Sequence, residues 1–204
     1  MSKKLRLVKD ISVKTLEAYE IYIPAGTVLE VEEVEEVEDI DTKDWKEISY
    51  LDNMTFAQTL QKLIFDAGIP RYEWIDVKDF YPVDKNGKKT KETPTGKTIT
   101  VRTPNVLDCT SNMCNKSADE ALKEPTEWLS PVAYLHWLSE LWKGGEHLDA
   151  KTWTMFPNWR NEAGRVPAVR FSVYNGRFDV VRDHADVRYS SGGVRPGVRI
   201  KQET

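Results

Sequence analysis

Hydrophobic and polar positions alternate most clearly near the end of the chain. Val169, Phe171 and Val173 fall on one side and Arg170 and Ser172 on the other, the period of two expected of a half-buried strand. Asn175-Gly176 follows. This pair signals a two-residue hairpin turn, because glycine adopts positive φ without steric cost. Phe178, Val180 and Val181 then supply the returning strand. Val187 and Tyr189 predict another strand, broken by Ser190 to Gly193. Val194 with Val198 to Ile200 predicts a last short strand around Pro196. The stretch from Arg165 to Ile200 therefore reads as antiparallel strands that the rest of the chain must cover.

The preceding residues supply a module and the cover. Residues 4–50 read as a small β-module: Leu5, Leu7 and Val8 start a strand, Tyr19 to Ile23 makes another, and Pro24-Ala25-Gly26 turns the chain into Thr27 to Val31. Asn53 to Pro70 reads as a helix capped by Thr55, with Phe56, Leu60, Leu63, Ile64 and Ala67 on one face and Gly68 at its end. Trp74 to Tyr81 and Thr98 to Thr103 predict a hairpin with a long lysine-rich tip. Ser117 to Lys123 predicts a short helix. The strongest helix starts at Ser130, with Pro131 in its first position and Gly144 after its end; Tyr134, Leu135, Leu138, Leu141 and Trp142 form its apolar stripe. The fold class expected is mixed α+β. A small N-terminal β-module over residues 1–50 precedes a domain over 51–204 with two main helices and a C-terminal antiparallel sheet.

Composition narrows the function classes. The chain has 204 residues, 40% of them hydrophobic, and a net charge of −4, which disfavours nucleic-acid binding by bulk charge. Charge is unevenly placed. Residues 30–44 hold nine acids and one lysine, whereas residues from Arg160 onward hold nine basic side chains and five acids. The acidic run reads as a strand followed by an acidic loop, a solvated edge that resists aggregation. No run of apolar residues is long enough to span a membrane, and the first residues lack the apolar region of a signal peptide. Synthesis in the cytoplasm is expected, with association with a virus particle as a further destination.

Candidate chemistry is sparse. Gly96-Lys97-Thr98 lacks the earlier glycine of a phosphate loop, because position 91 is Lys91. Cys109 and Cys114 have no second tight ligand pair, so two free thiols are expected rather than a zinc site. Asp183-His184-Ala185-Asp186 groups carboxylates with an imidazole but reads as alternating polar residues in a turn between strands. No HExxH, GxSxG or dinucleotide fingerprint is present. A non-enzymatic protein without metal or cofactor is expected.

Three short motifs carry a resemblance. Ala133-Tyr134-Leu135-His136-Trp137-Leu138-Ser139-Glu140, the segment Val166 to Phe171, and the ending Gly193-Val194-Arg195-Pro196-Gly197-Val198-Arg199-Ile200 resemble the formylglycine-generating type of C-type-lectin-like fold and bacterial and phage domains that close on a GVRP strand. The resemblance covers about residues 125–200. It implies a scaffold and not that family's activity, because both cysteines precede Trp128 and Pro125-Thr126-Glu127 precedes the helix rather than following it.

The function expected is recognition of a protein or glycan, plausible for a phage or prophage structural or receptor-binding protein. The candidate face comprises Trp153, Trp159, Arg160, Asn175, Arg177, Arg188 and Tyr189, since Trp, Tyr and Arg dominate interface hot spots. The alternative is a small viral effector that inhibits a host defence protein through the acidic segment 30–44, with Glu32, Glu33, Glu35 and Glu36 in contact.

Overall fold

The computed structural model describes residues 44–65, 68–73 and 77–200. The expected N-terminal strands and the acidic-segment candidates Glu32, Glu33, Glu35 and Glu36 lie outside the described residues. The chain divides between Asp41 and Thr42. The expected boundary at residue 50 therefore moves, because the strand β1 (Trp45–Leu51) belongs to the larger unit. It pairs along its whole length with β4 (Thr98–Pro104), from Trp45↔Pro104 to Leu51↔Thr98.

The fold is mixed α+β. A three-stranded antiparallel sheet has the order β1-β4-β10, where β10 is Val198–Ile200. A five-stranded sheet has the order β2-β8-β7-β5-β9, built from β2 (Arg71–Glu73), β5 (Trp153–Met155), β7 (Val166–Ser172), β8 (Arg177–Asp183) and β9 (Gly192–Val194). A two-stranded ribbon joins β3 (Tyr81–Pro82) to β6 (Trp159–Arg160).

Several expectations are corrected. The C-terminal sheet is not purely antiparallel: β2 runs parallel to β8, and β9 parallel to β5. Val194 and Val198–Ile200 belong to two strands in different sheets, because the chain crosses over at Arg195-Pro196. Residues 187–189 form no strand. The long-tipped hairpin does not form either. Its first arm pairs with β6 and its second with β1, while Val83↔Lys89 closes a local turn. The β7–β8 turn spans four residues between Ser172 and Arg177, so Val173 lies in the loop, exposed, instead of in the apolar row.

The helices start where local chemistry dictates. Thr55 and Ser117 each form a capping box, with Gln58 and Glu120 respectively, for α1 (Phe56–Leu60) and α2 (Ala118–Lys123). Helix α1 continues as a π-helical turn over Gln61–Phe65 and is closed by Gly68 at φ 68°. Ser130 caps α3 (Pro131–Gly144) by accepting from Ala133 N at 3.2 Å. Gly145, one residue later than expected, takes the left-handed cap at φ 80°.

Helix α3 lies in the main core. Tyr134, Trp137 and Leu138 join Ile48, Tyr50 and Val101 of the three-stranded sheet, Phe56, Leu60 and Ile64 of the α1 segment, and Val169, Phe178 and Val180 of the five-stranded sheet. The opposite face of the five-stranded sheet carries a second, smaller core in which Ala118 and Ala121 of α2 cover Met155, Val166, Ala168 and Val194. Helix α2 has six residues, too short to cover that face completely.

Candidate functional site

One ion pair is wholly enclosed and architectural. Arg195, at the crossover between β9 and β10, meets Asp149 with Nη2 2.7 Å from Oδ1, and both side chains are wholly shielded from solvent. The remaining groups are satisfied. Arg195 Nε donates to Thr154 Oγ1 at 2.8 Å, Nη1 to the Val106 carbonyl at 2.7 Å and Nη2 to the Leu107 carbonyl at 2.9 Å. Asp149 Oδ1 also accepts from Thr152 Oγ1 at 2.7 Å, and Oδ2 accepts from Thr154 Oγ1 at 2.6 Å and Tyr134 Oη at 2.9 Å. Such saturation is what allows an ion pair to persist in a medium of low polarity. Burial, the largest single influence, opposes the Arg195 charge, but Asp149 together with Cys109 and Tyr134 outweighs it, so the guanidinium pKa is raised. Burial pushes the Tyr134 hydroxyl well above its ordinary value, with Asp149 adding to the effect. The network ties the loop after β4, the turn before β5 and helix α3 to the sheet crossover.

This accounts for the GVRPG sequence. Gly193 packs against the Met113 carbonyl and Gly197 against the Leu129 backbone, Arg195 carries the network, and the Pro196 carbonyl accepts from Thr103 Oγ1 at 2.8 Å. Cys109 and Cys114 are both free. Cys109 sits against this network, its Sγ 3.8 Å from Asp149 Oδ1, and burial pushes its thiol up to about 12. A thiol so held is a packing group rather than a nucleophile.

The structure divides the residues expected to bind ligand. Trp159 and Arg160 are buried, which corrects their assignment to the face. Trp159 makes edge contact with Phe56, and Arg160 donates to the Pro157 carbonyl at 2.6 Å and pairs with Asp119 at 2.7 Å. The other residues lie on or beside the outer face of the five-stranded sheet. One row there runs Gly192, Trp153, Arg170, Asp179 across β9, β5, β7 and β8. The Arg170 guanidinium stacks 3.9 Å from the centre of the Trp153 ring, an arrangement favoured by the ring quadrupole. Asp179 accepts from Arg177 Nε at 3.0 Å and lies 3.5 Å from Arg170 Nε. Tyr189 packs on Gly192 and donates to Asp183 Oδ1 at 2.8 Å. Arg188 forms an ion pair with Glu120, which holds that carboxyl down to about 2; both side chains are solvated, so the pair adds little stability. Asn175 donates to Ser172 Oγ at 3.0 Å in the β7–β8 turn, beside Tyr174, whose surface is 95% exposed. His184 is exposed with its backbone N–H on Asp183, and among the described residues no group of His, Cys, Asp and Glu forms a metal-binding cluster.

A second feature was not anticipated. Two adjoining lobes of a cleft, about 400 and 260 Å³, share Ser130, Asn158 and Arg199. Asn158 Oδ1 is shielded and has no hydrogen-bond partner among the described residues. Glu92 accepts from Phe56 N at 2.6 Å, and burial raises its carboxyl to about 7 against the lowering effect of that bond. Burial also raises the Tyr50 hydroxyl on the same wall. Neither Glu92 nor Asn158 belongs to a motif, so only the tertiary contact identifies them. His136, on α3 next to this wall, stacks on Tyr50 at 4.8 Å with burial lowering its pKa.

No family model, curated protein or solved structure matches this chain. Among the described residues no helix is long and apolar enough to cross a membrane.

Proposed function

We propose that this protein is a recognition protein that binds a protein partner through the outer face of its five-stranded sheet and the β7–β8 turn. The observation that carries this reading is the 95% exposure of Tyr174 in the β7–β8 turn, next to a sheet face that carries Trp153, Arg170 and Arg177. Tyr174 buries almost none of its surface in the fold, and Tyr, Trp and Arg are enriched at protein interfaces. The resemblance of Ala133 to Glu140 and of the GVRPGVRI ending to C-type-lectin-like domains supports the same reading, as a scaffold for a binding face.

The test is paired affinity capture at physiological salt, with the wild type and a Tyr174→Ser variant as baits. The expected result is a protein retained by the wild type and lost from the variant while the variant's thermal midpoint stays within a few degrees. Retention of the same proteins by both baits would overturn the assignment of this face.

A further inference from the structure

We propose that Asn175 is a site of spontaneous deamidation, a modification built into the β7–β8 turn that adds a carboxylate beside Tyr174. The chain holds two Asn-Gly pairs, Asn86-Gly87 and Asn175-Gly176. Such pairs are open to this chemistry because glycine carries no side chain to screen its amide nitrogen or to restrict its backbone. All four residues are exposed, so access to water does not separate the two sites. Hydrogen bonding does. At the first pair, Gly87 N donates to the Asp84 carbonyl at 2.8 Å, and Asn86 N and Lys88 N both donate to Asp84 Oδ1 at 2.9 Å. This Asx turn is closed further by Asp84 N on the Lys88 carbonyl at 3.0 Å and by the Val83↔Lys89 bridge. At the second pair, the Gly176 N–H has no hydrogen-bond partner among the described residues. Asn175 is held by its backbone N on the Ser172 carbonyl at 3.1 Å and by Nδ2 on Ser172 Oγ at 3.0 Å.

The reaction needs no partner other than water. The Gly176 nitrogen loses its proton and bonds to Asn175 Cγ, closing a cyclic imide. The Cγ–Nδ2 bond breaks, and Nδ2 leaves as ammonia with that proton. Water then opens the ring. Cleavage at Cγ leaves aspartate, whereas cleavage at the main-chain carbonyl carbon leaves isoaspartate, in which the chain runs through the side chain. Nothing is oxidised or reduced. To close the ring, the Asn175–Gly176 peptide must rotate until its nitrogen reaches Cγ. The attacking N–H gives up no bond in that rotation, and the side chain gives up the one from Nδ2 to Ser172. At Asn86 the same rotation breaks the Gly87 bond and pulls Lys88 N from Asp84. Each bond that must break lowers the fraction of molecules in the reactive geometry. The bearing of the product on partner binding rests on the recognition reading above; the chemistry does not.

The experiment is incubation of the full chain at physiological temperature and mildly alkaline pH. Timed samples are digested, and their peptides are mapped by mass spectrometry and by enzymatic methylation of isoaspartate. In the folded protein Asn175 is expected to convert several-fold faster than Asn86, giving both aspartate and isoaspartate. In concentrated urea the two sites should convert at similar rates, since each is then an Asn-Gly pair released from its turn. Asp84→Ala removes two of the bonds that hold the first turn and should speed conversion of Asn86 while leaving Asn175 at its wild-type rate. The proposal is overturned by absence of conversion at Asn175, by conversion of Asn86 at an equal or higher rate in the folded protein, by the same rate ratio in urea as in buffer, or by an unchanged Asn86 rate in Asp84→Ala. All of these are read without a partner, so the recognition face stands or falls separately.

Discussion

Replacing Arg195 with alanine is expected to destabilise the protein by about 3–5 kcal/mol, enough to abolish most of the stability of an ordinary domain. The loss comes from what remains behind. Asp149 would keep a wholly buried carboxylate with no countercharge, and the carbonyls of Val106 and Leu107 and the Thr154 hydroxyl would each lose a donor. The measurement is the urea midpoint of purified wild type and variant at neutral pH. Adding Asp149→Ala to Arg195→Ala should cost much less than Asp149→Ala alone, because the second truncation removes a group already stranded by the first. A fully additive double variant would show that the two side chains act independently, against the shared network described here.

Gly193→Ala is the second large effect, expected to cost about 1–3 kcal/mol or more through overpacking. The added Cβ would lie 2.6 Å from the Met113 carbonyl oxygen and 2.9 Å from its carbon, both backbone atoms. That wall is pinned, since Val194 N donates to the same Met113 carbonyl at 3.1 Å. Relief therefore requires β9 to shift against Met113 and Cys109. A urea midpoint equal to that of wild type would show that β9 has freedom the packing denies it. Gly176→Ala is the useful contrast: its Cβ meets nothing within 4 Å, so any cost arises from its φ of 60° alone.

What the amino-acid order revealed was mainly what nearby residues decide. Thr55, Ser117 and Ser130 mark helix starts because a cap is a bond between residues three apart. The β7–β8 pair was likewise legible from alternation, although the turn is longer than Asn175-Gly176 implied. Pairings between distant segments were not. Trp159 lies in a stretch that reads as irregular, yet it opposes Pro82 in a two-stranded ribbon and is buried by Phe56. Arg160 reads as an exposed cation but meets Asp119 across the fold. Arg195 reads as one more arginine on a strand. Its function as the crossover tie depends on Asp149, 46 positions earlier, which no local pattern singles out. Of the candidate face, Trp153, Arg177, Asn175, Arg188 and Tyr189 lie on or beside the outer sheet, joined there by Asp179 and by Arg170, which alternation placed on one strand face but could not pair.

The central claim, that the β7–β8 turn and adjoining sheet face receive a partner, is tested most directly by site-specific photocrosslinking. A photoreactive phenylalanine analogue replaces Tyr174 in one preparation and Leu51, which is 49% exposed on β1, in another. Both positions tolerate the change because neither side chain is buried. Irradiation in extract of the source cells is predicted to give one discrete higher-mass adduct from position 174 and none from position 51. An adduct from position 51 alone, or none from either, would contradict the account.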